Sequence, residues 1–208
     1  MSIEKRLEAI RGLNPHAIKE SKKLSITEIE HGGYLEFNNQ TWKVVGLSRY
    51  LDVKWSDFSR RKSDYWVTEL EIYSLNNGKN IYLEWEQDDS LELSQTLSLV
   101  KIRDIQYQGR SLRNSDIEDI SEEEGTVVHN GISYHYEEDE TWAGLYFKSR
   151  SDTDGLPMRA YEFESDDERC LTIELWLEDG DRPDREAFIS QSVKPNEINV
   201  IQQAGMAS

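Results

Sequence analysis

Residues 65–87 read YWVTELEIYSLNNGKNIYLEWEQ, and their side chains alternate between two faces on either side of Asn77-Gly78. A period of two is typical of a β-strand with one buried face. Asn-Gly between two alternating runs is a strong hairpin signal, because both residues accept the positive φ of a tight turn. The more apolar face carries Trp66, Thr68, Leu70, Ile72, Ile81, Leu83 and Trp85, and the other carries Val67, Glu69, Glu71, Tyr73, Tyr82, Glu84 and Glu86.

The same pattern extends outward along the chain in both directions. Asn38-Asn39 and Asn130-Gly131 each separate two strand-like runs, which predicts two further hairpins. Residues 166–169 form a polar turn before the alternating run that begins at Cys170, and residues 187–192 and 197–201 read as later strands. The chain is therefore predicted to be mostly β and antiparallel.

The two halves of the sequence resemble each other. Gly33 precedes Trp66 by the same interval that separates Gly125 from Met158, and IYLEWEQDD resembles LTIELWLEDGD. We expect two tandem, related small β units, each a sandwich or a partly open barrel, packed together or merged into one sheet system. The predicted segments are an N-terminal helix and lead-in (1–23), a first β unit (24–108), a polar acidic linker (109–124), a second β unit (125–202) and a disordered tail (203–208).

The N-terminal segment is predicted to contain a short amphipathic helix. Residues 3–13 place Ile3, Leu7 and Ile10 on one helical face, and Gly12 and Pro15 end the periodic pattern. Such a helix either caps a sheet or docks on a partner.

The formal net charge of the 208 residues is −17, and it is concentrated in the second half. Residues 115–208 hold seven Lys or Arg against twenty-four Asp or Glu. This surface is expected to repel nucleic acids and to attract basic partners. With one cysteine, Cys170, and no apolar run of signal-peptide or membrane-spanning length, we expect a cytoplasmic protein.

No catalytic, cofactor or metal site is predicted from the sequence. His129 and His135 flank a predicted hairpin, but nothing brings further ligands to them, and they are interpreted as surface strand residues. Cys170 is interpreted as a small core residue in a strand. Carboxylates such as Glu84 and Glu86 are abundant, and abundance gives no indication of burial. We therefore expect a protein that is not an enzyme.

One segment departs from its β setting. Residues 50–65, YLDVKWSDFSRRKSDY, join two strands by a stretch longer than a hairpin needs. This segment either forms a partner-binding surface, since aromatic residues and Arg are enriched at binding hot spots, or folds back on the sheet with its cations solvated. The candidate contact residues are Trp55, Phe58, Arg60, Arg61 and Lys62.

The order of aromatic and aliphatic residues over 30–201 resembles the bacterial domain-of-unknown-function family 4178. The resemblance rests on Val44-Val45-Gly46, Trp66-Val67-Thr68-Glu69, Tyr82-Leu83, Trp142-Ala143, Ala160-Tyr161-Glu162-Phe163 and Leu171-Thr172-Ile173-Glu174. The chain departs from the family pattern at Thr68 and in the long segment 50–65. The resemblance implies an accessory protein encoded near membrane-stress and polyamine-linked genes, without catalytic residues, and by association a partner-binding role.

Three functions follow as hypotheses. The first is a non-enzymatic adaptor that binds a protein partner, basic in character, in a membrane-stress response. The second is a protein that binds a polyamine or another small cation, which needs a concave cluster of carboxylates and aromatic rings. The third is an acidic nucleic-acid mimic that blocks a DNA-binding protein.

Overall fold

A computed structural model describes residues 24–177 and 184–202, without the side chain of Asn114. These residues are mostly β, with one α-helix, α1 (Asn114–Glu123), and three short 3-10 turns (Ile26–Glu28, Ile102–Asp104 and Pro195–Glu197). The described strands are β1 (Tyr34–Phe37), β2 (Gln40–Val53), β3 (Trp66–Ser74), β4 (Asn80–Gln87), β5 (Leu91–Leu99), β6 (Ile105–Tyr107), β7 (Arg110–Ser111), β8 (Thr126–His129), β9 (Ile132–Tyr136), β10 (Trp142–Phe147), β11 (Leu156–Glu164), β12 (Arg169–Trp176), β13 (Asp184–Ser192) and β14 (Asn199–Gln202).

Eight of these strands close into an antiparallel barrel. Their order around the wall is β2-β3-β4-β5-β13-β12-β11-β10, and β10 completes the circle by pairing with both β11 and β2. The contact between β5 and β13 joins the two halves of the chain at the opposite side. Closure removes the exposed sheet edges that an open sheet would leave at these strands.

The predicted hairpins are confirmed at their turns. Asn38 and Asn39 both have positive φ between β1 and β2, and so do Asn130 and Gly131 between β8 and β9. Gly78 has a φ of +72° between β3 and β4. Asn and Gly are the residues that accept this left-handed backbone with little strain, so the turn chemistry fixes the register of each hairpin.

A β-bulge in β2 changes which residues face outward. The register with β3 shifts between Val44 and Gly46. Trp42 and Val44 therefore share the outer face with Leu51, although their positions have opposite parity. A bulge inserts one extra residue into a strand, and the alternation continues in the other phase beyond it.

The main apolar cores lie outside the barrel wall, between the wall and two covering layers. Strands β1 and β14 and the first 3-10 turn cover the outer face of β2–β5, where Leu70, Ile72 and Leu83 are fully buried. On the other side, α1 and the strands β6–β9 cover β11–β13, where Phe163 and Leu171 are fully buried. The aliphatic faces of β3, β4 and β12 therefore point away from the barrel axis, whereas a smaller cluster of Tyr50, Met158 and Ala160 lies inside the barrel.

The segment 109–124, expected to be a polar linker, instead contributes to a core. Helix α1 runs for ten residues and buries Ile117 and Ile120. Asp116 in its first turn accepts hydrogen bonds from the Arg110 guanidinium at 2.6 and 2.8 Å and from the Arg113 backbone N–H at 2.8 Å. These bonds hold the pKa of Asp116 down at about 2 and fix the start of the helix.

The two halves merge into one sheet system, since β1 pairs with β14 and β5 pairs with β13. The tandem relationship of the halves and the proposed unit boundaries stay predictions. The N-terminal helix predicted for residues 3–13 and the predicted tail at 203–208 lie outside the described residues.

No helix in the described parts of the chain is both long and apolar enough to cross a membrane.

A covering layer buries one leucine of the wall and leaves another on the adjacent strand exposed. Truncation of the two side chains is therefore expected to change the free energy of unfolding by very different amounts. Leu83 of β4 is 0% exposed, whereas Leu97 of β5 is 42% exposed. We expect Leu83→Ala to lower the free energy of unfolding by about 2–5 kcal/mol, because it leaves a cavity in a packed core. Leu97→Ala should change it by less than about 1 kcal/mol. Urea denaturation followed by circular dichroism measures both, and equal losses would contradict the outward-facing core.

Candidate functional site

The interior of the barrel contains open space beside one apolar cluster, in which Tyr50, Met158 and Ala160 are buried. Two cavities of about 680 and about 640 Å³ lie in it, and residues of the wall strands line both. The inward-facing residues alternate with the apolar ones that pack against the covering layers. An eight-stranded barrel is of the size that holds either filling side chains or one small ligand. Here the lumen is the candidate site.

Glutamates from six wall strands line this lumen. Three pairs stand directly opposite each other on neighbouring strands, Glu69 with Glu84, Glu86 with Glu92 and Glu174 with Glu186. Like charges at directly opposed positions destabilise a sheet. The lining glutamates on wall strands are Glu69 and Glu71 on β3, Glu84 and Glu86 on β4, Glu92 on β5, Glu162 and Glu164 on β11, Glu174 on β12 and Glu186 on β13.

Glu174 is the most enclosed of these side chains. It is 5% exposed, and it lines both cavities. Within residues 24–177 and 184–202 its carboxyl has no hydrogen-bond or ion-pair partner. Burial raises its pKa well above the usual value, and the nearby Glu84 and Glu69 raise it further. A buried carboxylate without a partner is costly, so this group needs a proton or a cation.

The carboxyl group of Glu84 also lies away from water among other carboxyl groups. Burial raises its pKa to about 8, with further contributions from the charges of Glu69, Glu162 and Glu86. The pKa of Glu86 is also raised, chiefly by burial, while a hydrogen bond with Tyr65 acts in the opposite direction. Glu84 therefore keeps its proton at pH values where exposed glutamates are ionised.

Neutral side chains also donate hydrogen bonds to Glu162 and Glu69. The Thr172 hydroxyl and the Cys170 thiol donate to Oε2 of Glu162 at 2.7 and 2.8 Å, and the Ser48 hydroxyl donates to Oε1 of Glu69 at 2.6 Å. These bonds lower the pKa of each carboxyl, but burial is the larger effect and leaves both raised. The donors orient the carboxylates and carry no charge that could neutralise them.

Aromatic rings surround the middle of the lumen. The ring of Tyr50 lies 5.9 Å from that of Trp142, 5.1 Å from that of Tyr146 and 6.5 Å from that of Trp176, measured between centroids. Tyr146 and Trp176 meet edge to face at 5.2 Å. Aromatic faces attract cations and pack against methylene groups. Carboxylates and aromatic rings in one concavity form the cluster that a bound organic cation needs.

The candidate contact segment lies beside one mouth of the lumen. Trp55 packs edge-on against Tyr161, and the Arg159 guanidinium lies over the rings of both Trp55 and Phe58. The aromatic side chains thus fold back on the barrel wall. Arg61 reaches the mouth, where its Nε lies 2.6 Å from Oδ2 of Asp52. Arg60 pairs with Asp64 at 3.6 Å, and Lys62 is exposed.

Partner binding by these five residues stays a prediction. Trp55 and Phe58 pack against the barrel, as in the alternative in which segment 50–65 folds back on the sheet. Arg61 lines the first cavity.

His129 and His135 lie apart from this lumen. His129 pairs with Ile132 and His135 with Thr126, so they occupy opposite ends of the β8–β9 hairpin. Thr126 Oγ1 lies 2.9 Å from Nδ1 of His135. In the described part of the chain no three His, Cys, Asp or Glu side chains form a group suited to a metal ion.

Sequence reasoning missed the lumen. It assigned the correct alternation to β3 and β4 but could not recognise that the glutamate face points into an enclosed space. Cys170, expected in the core, instead faces the lumen beside Glu162. The one available signal was the repeated alternation of Glu with aromatic residues on the face opposite the aliphatic one, as in Tyr82, Glu84 and Glu86.

Comparison with known proteins gives one match. A family model described as "Domain of unknown function (DUF4178)" matches residues 30–195. No curated protein and no solved structure matches the chain.

The raised pKa of Glu84 predicts how stability depends on pH. In the unfolded chain this carboxyl titrates near 4.3, whereas in the fold it titrates at about 8. Between these values the folded state binds the extra proton, so the free energy of unfolding falls as pH rises from about 4.5 to about 8. We expect Glu84→Gln to flatten this fall and to raise stability at pH 8 by on the order of 2 kcal/mol, with little effect near pH 4.5.

Thermal and urea unfolding across this pH range measure the effect. Glu122→Gln, on the exposed face of α1, is the matched control and should follow the wild type. A pH dependence that is identical in Glu84→Gln and the wild type would contradict the raised pKa of Glu84.

Proposed function

This chain belongs to the DUF4178 family, a domain of unknown function, and we propose that it is a non-enzymatic binding protein that holds a small organic cation of the polyamine class in its barrel lumen. The observation that carries the proposal is Glu174, 5% exposed at the centre of the lumen and without a partner in the described residues. A buried carboxylate is stable when a proton neutralises it or a cation pairs with it.

The charge of the lumen favours a polyvalent cation. Around Glu174 stand Glu69, Glu84 and Glu162, and each of these raises its pKa further. Among the described lining residues the cations are Arg61 at one end and Lys148 at the other, so the middle of the lumen has none. Several ammonium groups on one molecule would neutralise several carboxylates at once.

The aromatic lining favours an organic cation. Tyr50, Trp142, Tyr146 and Trp176 present ring surface next to the carboxylates. An alkyl ammonium has a charged nitrogen for the carboxylates and methylene groups for the ring faces. A hydrated metal ion would use only the first of these features.

The other two functional hypotheses stay predictions. A protein adaptor in a membrane-stress response would use the outer surface near Arg60 and Lys62, and a nucleic-acid mimic would use exposed carboxylates. Glu174 is only 5% exposed in the lumen, so a macromolecule has little access to its carboxyl, whereas a small ligand fits the cavity beside it. For this reason the lumen favours the small-ligand function over both.

Isothermal titration calorimetry of the full chain with spermidine tests the proposal. We expect saturable binding with a stoichiometry near one that persists in added sodium chloride, because enclosed charges are screened less than exposed ones. The double variant Glu84→Gln/Glu174→Gln should weaken binding at least about tenfold, which corresponds to about 1.4 kcal/mol.

The matched control is Glu122→Gln/Glu123→Gln, which removes the same charge from the exposed face of α1. It should bind spermidine as the wild type does. Equal weakening in the two double variants would mean that the amine only condenses on the acidic surface, and the proposal would then be wrong.

A further inference from the structure

The two cavities, called here the first and second chambers, share part of their lining. Tyr50, Glu174 and Phe188 line both, and these three residues are called the waist. Along β12, Cys170 and Thr172 line the first chamber, Glu174 lines both, and Trp176 lines the second. Strand β2 shows the same progression, with Asp52 in the first chamber, Tyr50 in both and Ser48 in the second.

By strand register, the carboxylates of Glu162, Glu174 and Glu69 stand at three levels along the barrel. Glu162 lies opposite Thr172, two residues from Glu174 on β12, and so occupies the first chamber. Glu174 marks the waist. Glu69 lies opposite Ser48, two residues from Tyr50 on β2, and so occupies the second chamber.

The spacing of these levels follows from strand geometry. A two-residue step along a strand is about 7 Å, and the tilt of strands in a barrel reduces it to about 5 Å along the axis. Two amino groups joined by three or four methylene groups are about 5–6 Å apart in an extended chain. The three levels therefore match three amines of a linear aliphatic chain.

The waist suits the spacers of such a chain. Tyr50 and Phe188 line it directly, and Tyr146 and Trp176 pack around Tyr50. Methylene groups passing between the carboxylate levels would meet ring surface rather than polar atoms. Glu174, buried and without a described partner, would meet the central amine.

We infer that the ligand is a linear polyamine with at least three amino groups, bound in an extended form through the waist, with its central amine at Glu174 and its outer amines near Glu162 and Glu69. This inference rests on the proposed function and specifies the class and the pose of its ligand. A diamine of the length of putrescine would reach two of the three levels at most.

Calorimetry of the full chain with three amines separates the effect of ligand length on affinity from the effect of ligand charge. Spermidine and 1,8-diaminooctane have the same number of chain atoms between their terminal amines, and only spermidine has a central amine. Putrescine has the charge of 1,8-diaminooctane on a chain half as long. We expect 1,8-diaminooctane to bind several-fold more tightly than putrescine, and spermidine at least about tenfold more tightly than 1,8-diaminooctane.

The variant Glu174→Gln tests the position of the central amine. It should remove most of the advantage of spermidine over 1,8-diaminooctane while leaving the affinity for 1,8-diaminooctane within about twofold. Glu122→Gln, on the exposed face of α1, should leave the whole series unchanged. Near-ultraviolet circular dichroism verifies that each variant keeps its aromatic packing, and the wild-type series tests chain length without any variant.

The outcomes separate this inference from the proposed function. If putrescine binds as tightly as spermidine, or if Glu174→Gln weakens all three amines equally, a compact cation occupies one chamber and the extended pose is wrong, while cation binding in the lumen stands. If Mg²⁺ displaces spermidine at equal concentration, the site is one for compact metal cations and the pose is again wrong. If no amine binds the wild type, both the function and the pose are wrong.

Discussion

The structure depends on one constraint, which is that each wall strand can bury its aliphatic face on only one side of the barrel. The two covering layers bring their own apolar side chains, such as Ile117 and Val200, to the outer side. The aliphatic faces of β3, β4 and β12 therefore point outward. Because side chains alternate strictly along a strand, the opposite faces, which are rich in Glu and aromatic residues, must line the closed interior.

This arrangement places several carboxyl groups in a partly buried space. Glu84 stands across from Glu69, and Glu174 stands next to both in the lumen. Their raised pKa values express the cost of enclosing like charges together. Protons on these carboxyl groups reduce that cost. Under the proposed function a cation bound in the lumen would replace these protons, so ligand affinity, proton release and the stability of the fold would be linked through the same carboxyl groups.

The local rules of the sequence predicted much of the β structure but not the site. The dipeptides Asn38-Asn39, Asn77-Gly78 and Asn130-Gly131 marked their turns because positive φ is a local property. The bulge at Gly46 escaped prediction because it depends on the neighbouring strand, where a Cβ at position 46 would lie only 3.0 Å from Cβ of Glu71. Helix α1 was taken for a linker because its polar composition concealed two inward isoleucines.

The sequence by itself determined the alternation of two faces, the positions of the tight turns and the excess of negative charge, since each follows from residues close together in the chain. Tertiary structure alone decided that the glutamate faces become an interior. That outcome requires β10 to pair with β2, Gly144 opposite Asp52, and β5 to pair with β13, contacts between residues far apart in sequence. A strand carries no local record of which of its two faces the closed sheet will enclose, because closure is a property of all eight strands together.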